Sequence, residues 1–226
     1  MSLLEVLYTD DALLVVNKPA GLLTLPDGYD PAKPHLRGLL EPEFGPLWIV
    51  HRLDKDTSGV IIMARNADAH RELNNQFSSH TIEKIYHAVL FGLPPWDTIT
   101  CDAPLRANVG RRKRTVADHQ QGKPALTEFR VLERFQEHTL IEAKPQTGRT
   151  HQIRAHLYQL GFPVLADPLY GEAQTVTGMD RLALHSQSLI IRHPETKDVI
   201  QFVAGYPEDF VSFLSQERSS FKELRS

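Results

Sequence analysis

The chain has one cysteine, Cys101, among its 226 residues. A single thiol excludes an intramolecular disulfide framework and a cysteine-rich zinc site, and it fits a reducing compartment. No window approaches the roughly 18 consecutive apolar residues of a membrane span. The start, MSLLEVLYTDD, lacks the basic segment and long apolar stretch of a secretory leader. Neither sign of charge dominates, with a net charge of -3 and a pI near 6.4, so any polyanion site must be a local patch. No internal repeat or linker stands out. What is present is 41% hydrophobic residues in a chain long enough to bury a substantial core. A soluble, cytoplasmic protein of one large domain or two small ones is expected.

Along the chain, LLVVNKPAG reads as a strand from Leu13 to Val16, ended by Pro19 and Gly21. Prolines at 26, 31, 34, 42 and 46 then mark a long surface excursion with room for one helical turn. GVIIMA is short and β-branched, which predicts a buried strand. NADAHRELNNQF offers Asn66 as a helix cap, with Leu73 and Phe77 one turn apart. KIYHAVLFG is a strand ending at Gly92. TEFRVLERF and TLIEAK form a hairpin carrying Phe129, Val131, Leu140 and Ile141. From Thr150 to Leu160 the residues Ile153, Leu157 and Leu160 recur at helical spacing, and Gly161 and Pro163 stop the helix. LALHSQSLIIRH and VIQFVA are closing strands, and the tail from Pro207 is an amphipathic helix. Strands outnumber helices without alternating regularly with them, so the fold class is α+β with a mainly antiparallel sheet.

HRLDKDTSGVIIMAR, from His51 to Arg65, carries the densest chemistry. Asp54, Asp56, Ser58 and Gly59 match the first half of a calcium loop, but its twelfth position is Arg65 where a bidentate glutamate is required. A kinase catalytic loop fails as well. Leu53 separates Arg52 from Asp54, no phosphate-covering glycine loop precedes it, and too little chain stands upstream for a nucleotide-binding lobe. The remaining reading sets Asp54 at the entrance of a buried strand beside Arg52, ionised and able to act as nucleophile or base. A salt bridge anchoring a DTSG turn explains the same residues equally well.

Two basic groups follow. KPQTGRTHQIRAH brings Lys144, Arg149, His151, Arg154 and His156 to a predicted helix start, where the Thr147–His151 turn has the backbone donors to cradle a phosphate. RANVGRRKR brings Arg106, Arg111, Arg112, Lys113 and Arg114 between strands, a cluster suited to a phosphate backbone. The alternative for either group is a solvated surface.

Seven blocks, NKPAGLLT, HRLDKDTSGV, KIYHAVLFG, GKPALTEFRVL, PQTGRTHQIRAHL, ADPLYG and LALHSQSL, stand in the order found in the RluA-type family of RNA pseudouridine synthases. The resemblance runs from about residue 5 to about residue 210. It is to compact members without the small leading RNA-binding module. It implies a single catalytic domain over residues 1–226, with a helical tail from about residue 207, built on a central mixed, mostly antiparallel sheet flanked by helices and loops. The implied reaction isomerises a uridine in ribosomal or transfer RNA after flipping it from its stack.

By the resemblance, Asp54 is the catalytic aspartate, attacking the ribose or the ring or assisting proton removal. Arg52 fills the gap left by the flipped nucleotide. Tyr86 stacks on the base and serves the final proton abstraction. Arg154 pairs with the catalytic carboxylate, which burial under the base would otherwise push toward its neutral form. His51, Arg149, Thr150, Ile153 and Leu184 are expected around the substrate. Ile153, Leu184 and His185 are also readable as core, and Tyr86 as a sheet aromatic. Arg106, Arg111, Arg112, Lys113 and Arg114 are expected on the RNA backbone. No metal or cofactor, no membrane and a monomer are expected. The alternative is an RNA-binding protein that keeps the fold without catalysis. Ser186 replaces the family's alanine, and the Pro26–Pro46 segment, which matches the family least, is expected to shape substrate choice.

Overall fold

The computed structural model describes residues 4–171 and 178–223. In chain order the elements are β1 (Glu5–Thr9), β2 (Leu13–Lys18), α1 (Leu36–Phe44), β3 (Trp48–Ile49), β4 (Ser58–Ala64), α2 (Ala67–Ser78), β5 (Glu83–Phe91) and β6 (Thr98–Cys101). They continue with β7 (Leu105–Val109), β8 (Arg114–Ala117), β9 (Thr127–Arg134), β10 (His138–Pro145), α3 (Gln152–Gln159), β11 (Leu184–Arg192), β12 (Val199–Val203) and α4 (Glu208–Glu223). The fold is α+β. The chain forms two compact units, Met1–Lys84 with Ser186–Gly205, and Ile85–His185 with Tyr206–Ser226.

In the first unit the strands run in the order β1-β2-β4-β11, with β3 on β4 and β12 on β11. The ladders β1/β2, β2/β4, β3/β4 and β11/β12 are antiparallel. Every residue of β4 is buried, and so are Leu13 through Val16 of β2. Both faces of these strands are covered, which is why their sequences are continuous apolar runs rather than alternating ones. Leu13, Val15, Val60 and Ile62 share a core with Leu73, Leu189, Ile191 and Phe202. Gly59 sits at φ +113, and a Cβ there would lie 2.1 Å from the Ser186 carbonyl oxygen, so only glycine lets β4 and β11 approach this closely. Ser186 adds a hydrogen bond from its Oγ to the Val60 carbonyl at 3.2 Å, more than the packing change expected from the missing alanine.

The proline-rich segment departs from expectation. Instead of a single turn it holds the nine-residue α1, with Leu36 and Leu40 fully buried. Its cap is a histidine: His35 Nδ1 accepts the Gly38 N–H at 3.1 Å. α2 begins where predicted, with the Asn66 side chain accepting from Ala69 N–H at 2.8 Å.

In the second unit the order is β5-β10-β9-β6, all antiparallel, and β7 pairs with β8 in a separate two-stranded sheet. Val89, Phe129, Leu140, Ile141, Leu157, Phe210, Phe213 and Leu214 share its core, which explains why α3 and α4 carry apolar stripes.

Candidate active site

Asp54 lies in the irregular segment between β3 and β4, half-buried, with Arg52 exposed two residues earlier. The residues flanking Asp54 are fixed through their backbones by the chain that follows β2. Thr24 Oγ1 donates to the Leu53 carbonyl at 3.0 Å and accepts the Leu53 N–H at 3.3 Å. On the other side, the Lys55 carbonyl accepts from Gly21 N–H at 2.9 Å and from Lys18 Nζ at 3.0 Å. Gly21 reaches it from a left-handed turn, φ +82. Lys18 has no exposed surface, and its ammonium also donates to the carbonyls of Pro19, at 2.9 Å, and Leu22, at 2.8 Å. A buried ammonium is tolerated when its donors are filled, and here charge-assisted bonds join two loops. The Thr57 N–H closes the turn on the Asp54 carbonyl at 3.2 Å.

His51 has a task in holding this loop. Its Nε2 accepts the Ile62 N–H at 3.0 Å, and its ring stacks on Phe77 with centroids 4.7 Å apart. An accepting Nε2 requires the neutral ring with its proton on Nδ1. Burial, with a smaller contribution from the Lys84 charge, pushes the His51 pKa down to about 3.

In the second unit Tyr86 sits on β5 opposite Ala143 and is half-buried against the core edge. Arg154 is 3% exposed on α3. Its Nε donates to Asp167 Oδ2 at 2.7 Å and its Nη2 to Asp167 Oδ1 at 2.8 Å, a bidentate pair that fixes the guanidinium plane. The guanidinium carbon lies over the Tyr170 ring, 5.2 Å from its centroid. Asp167 Oδ1 also accepts the N–H groups of Leu169, at 2.8 Å, and Tyr170, at 3.1 Å.

The start of α3 is organised by Gln152. Its Oε1 accepts from Thr147 Oγ1 at 2.7 Å and from Arg149 N–H at 2.9 Å. Its Nε2 donates to the Leu126 carbonyl and to Thr127 Oγ1, both at 2.9 Å. His151 precedes the helix at φ 50 with no side-chain cap. The Thr147–His151 turn is therefore less of an anion cradle than its sequence suggests, because Gln152 consumes the Arg149 N–H.

The other expected site residues divide. Thr150 and Arg149 are exposed, the latter with Nε on the Pro124 carbonyl at 2.9 Å. Ile153 and Leu184 are buried in the core of the second unit, and His185 is fully buried against Tyr206. Arg111, Arg112 and Lys113 are exposed at the turn joining β7 and β8. Two members of the basic cluster are engaged within the protein. Arg106 pairs with Asp118, four residues beyond the basic block, at 2.9 Å. The Arg114 guanidinium lies 5.2 Å from the Tyr158 ring centroid and 5.4 Å from that of Tyr170.

Lys18, Thr24, Gln152, Asp167 and Tyr170 were given no role from sequence. They act largely on backbone groups far along the chain, which leave no side-chain signature. The signal available was their presence inside the blocks NKPAGLLT, PQTGRTHQIRAHL and ADPLYG.

Residues 12–159, which include Asp54, Tyr86 and Arg154, match the family model described as RNA pseudouridylate synthase. The chain is 40% identical to the RNA pseudouridine synthase YlyB of Bacillus subtilis (strain 168), over 96% of this chain and 74% of that protein. It is 38% identical to the ribosomal large subunit pseudouridine synthase D of Pseudomonas aeruginosa, again over 96% of this chain and 74% of that one. Among solved structures it resembles human RNA pseudouridylate synthase domain containing 4, with a TM-score of 0.77 and 26% identity over 95% of this chain and 93% of that chain. Human RNA pseudouridylate synthase domain containing 1 gives 0.76 and 29%, over 91% and 84%.

Proposed function

The chain belongs to the RluA-type family of RNA pseudouridine synthases, isomerases acting on RNA, and from that premise we propose that Asp54 is the carboxylate that turns over a flipped uridine. In the reaction the bond from uracil N1 to ribose C1′ breaks, the base rotates, C5 bonds to C1′, and the C5 proton leaves while N1 gains a proton. A base inside a stack offers none of these atoms to a side chain, so it is extruded, and the lost stacking must be replaced. Arg52, exposed in the irregular segment before Asp54, supplies a planar cation for that gap, and Tyr86 an aromatic face for the base.

Asp54 attacks C1′ or the ring, or assists proton removal, in its ionised form. Arg154 is the counter-cation that opposes neutralisation when the base covers the carboxylate. Its bidentate hold on Asp167 means the guanidinium plane is set before RNA arrives, so little reorganisation accompanies the chemistry. The observation that carries the reading is the immobilised loop. With Leu53 and Lys55 both tied down, the Asp54 backbone is positioned by the fold rather than by substrate.

The substrate is a structured ribosomal or transfer RNA. Large-subunit ribosomal RNA is the first to test, because a relative named for it is 38% identical. Action in the cytoplasm as a monomer completes the proposal. Among the described residues no helix is long and apolar enough to cross a membrane.

The test is incubation with cellular RNA followed by mapping with a pseudouridine-specific chemical label. New pseudouridine is expected with the wild type. Asp54→Asn should form none while binding RNA within about threefold of wild type, since it removes one charge and keeps the shape. Turnover by that variant removes Asp54 from the role, and an inactive wild type removes the reading.

A further inference from the structure

Tyr170 is 2% exposed, and its hydroxyl is spent on one residue of β8. It accepts the Thr115 N–H at 2.8 Å and donates to the Thr115 carbonyl at 3.0 Å. His151 Nδ1 stands 3.3 Å from the same oxygen. A phenol donates once and accepts twice, so the three contacts are compatible. By taking both backbone groups of Thr115, the hydroxyl stands in for a neighbouring strand.

The ring of Tyr170 carries two cations. Arg154 lies 5.2 Å from its centroid and Arg114, the first residue of β8, 5.4 Å. Asp167 holds Arg154 in a fork and caps the turn that bears Tyr170. Leu105 of β7 packs with Tyr170, Ala125 and Ala155 in a small core of its own. A two-stranded ribbon is marginally stable alone, and its tip here carries Arg111, Arg112 and Lys113. The rigidity of the basic ribbon and the orientation of Arg154 thus meet at one side chain.

We infer that Tyr170 is a positioning residue that couples RNA engagement by the β7–β8 tip to the alignment of the Arg154 guanidinium. The coupling rests on the proposed reading of the chain as an RNA isomerase with Arg154 beside its carboxylate. The clasp itself stands apart from that reading. A ribbon free to swing would bring its cations to RNA in many orientations, and Arg154 would lose the ring that limits its own movement. With the hydroxyl in place, RNA seated on the tip is seated relative to Arg154.

The test uses Tyr170→Phe, which keeps the ring and removes the hydroxyl. Amide hydrogen exchange at Thr115 should accelerate about tenfold or more, as expected for losing a buried hydrogen bond. This result is read without any activity and survives failure of the functional reading. RNA affinity and single-turnover rate should each fall about tenfold. In a cycle with Arg111→Ala/Arg112→Ala, the loss of affinity from Tyr170→Phe should shrink to under about twofold once the tip charges are gone. Effects that multiply in the cycle, a Thr115 amide that keeps its protection, or tip variants with unchanged affinity overturn the inference. Should Tyr170→Phe not fold, Arg114→Met removes the ribbon's cation from the same ring and carries the same cycle.

Discussion

Lys18 shows how a single side chain sets the geometry of a loop far along the sequence. Its three acceptors belong to Pro19, Leu22 and Lys55, and it has no exposed surface. Lys18→Met keeps the volume but strands three carbonyls, so a loss of about 3 kcal/mol in urea unfolding is expected. A tenfold or larger fall in single-turnover rate should accompany it, because the Lys55 side of the Asp54 loop is released. Equal rates in the two proteins would leave Lys18 a purely structural residue. His51 gives a pH dependence of definite sign. Its folded pKa of about 3 lies below the 6.5 of the free side chain, so the unfolded chain binds a proton that the folded chain refuses. Stability is therefore full above about pH 6.5 and declines as pH falls toward 3. His51→Gln presents an acceptor that does not titrate. Between pH 7 and pH 5 the wild type should lose about 2 kcal/mol more than this variant, measured by urea midpoints.

Among the elements, β4 is the most sensitive to change. Gly59→Ala drives a methyl to 2.1 Å from the Ser186 carbonyl oxygen at φ +113. We expect a cost of more than about 3 kcal/mol, seen as loss of soluble protein or of a cooperative transition. Ser186→Ala, in the same contact, removes only the bond to Val60 and should cost about 1 kcal/mol. β4 was legible in sequence because a β-branched run flanked by turn residues has few other structures open to it. α1 was not: prolines surround it, its cap is a histidine, and its buried stripe is just Leu36 and Leu40. The candidate site was legible to a similar degree. Asp54, Tyr86 and Arg154 stood out through ordered blocks, whereas Thr24 and Gln152 work through backbone carbonyls and amides that any residue would display. Arg106 is expected on the RNA backbone, and spacing along the chain does not reveal that Asp118 lies 2.9 Å away.

At the scale of the whole molecule, a net charge of -3 coexists with a tip bearing Arg111, Arg112 and Lys113. Attraction to RNA is thus local, and its salt dependence should be modest. Removing each of Arg111 and Arg112 is expected to lower the slope of log affinity against log salt by about 0.7 to 0.9, as counterion release prescribes. An unchanged slope in titrations over a range of potassium chloride would place the RNA elsewhere.

The first unit takes the greater part of its strand β11, from Ser186 to Arg192, from chain that follows the Ile85–His185 portion of the second. During synthesis β4 therefore emerges with that flank covered only at Met63 and Ala64, by β3, and waits for β11 on the order of ten seconds at ordinary elongation speeds. For that interval the nascent polypeptide displays a largely unpaired, mostly apolar ribbon edge, the kind of surface on which holdase chaperones act and sticky mispairing begins.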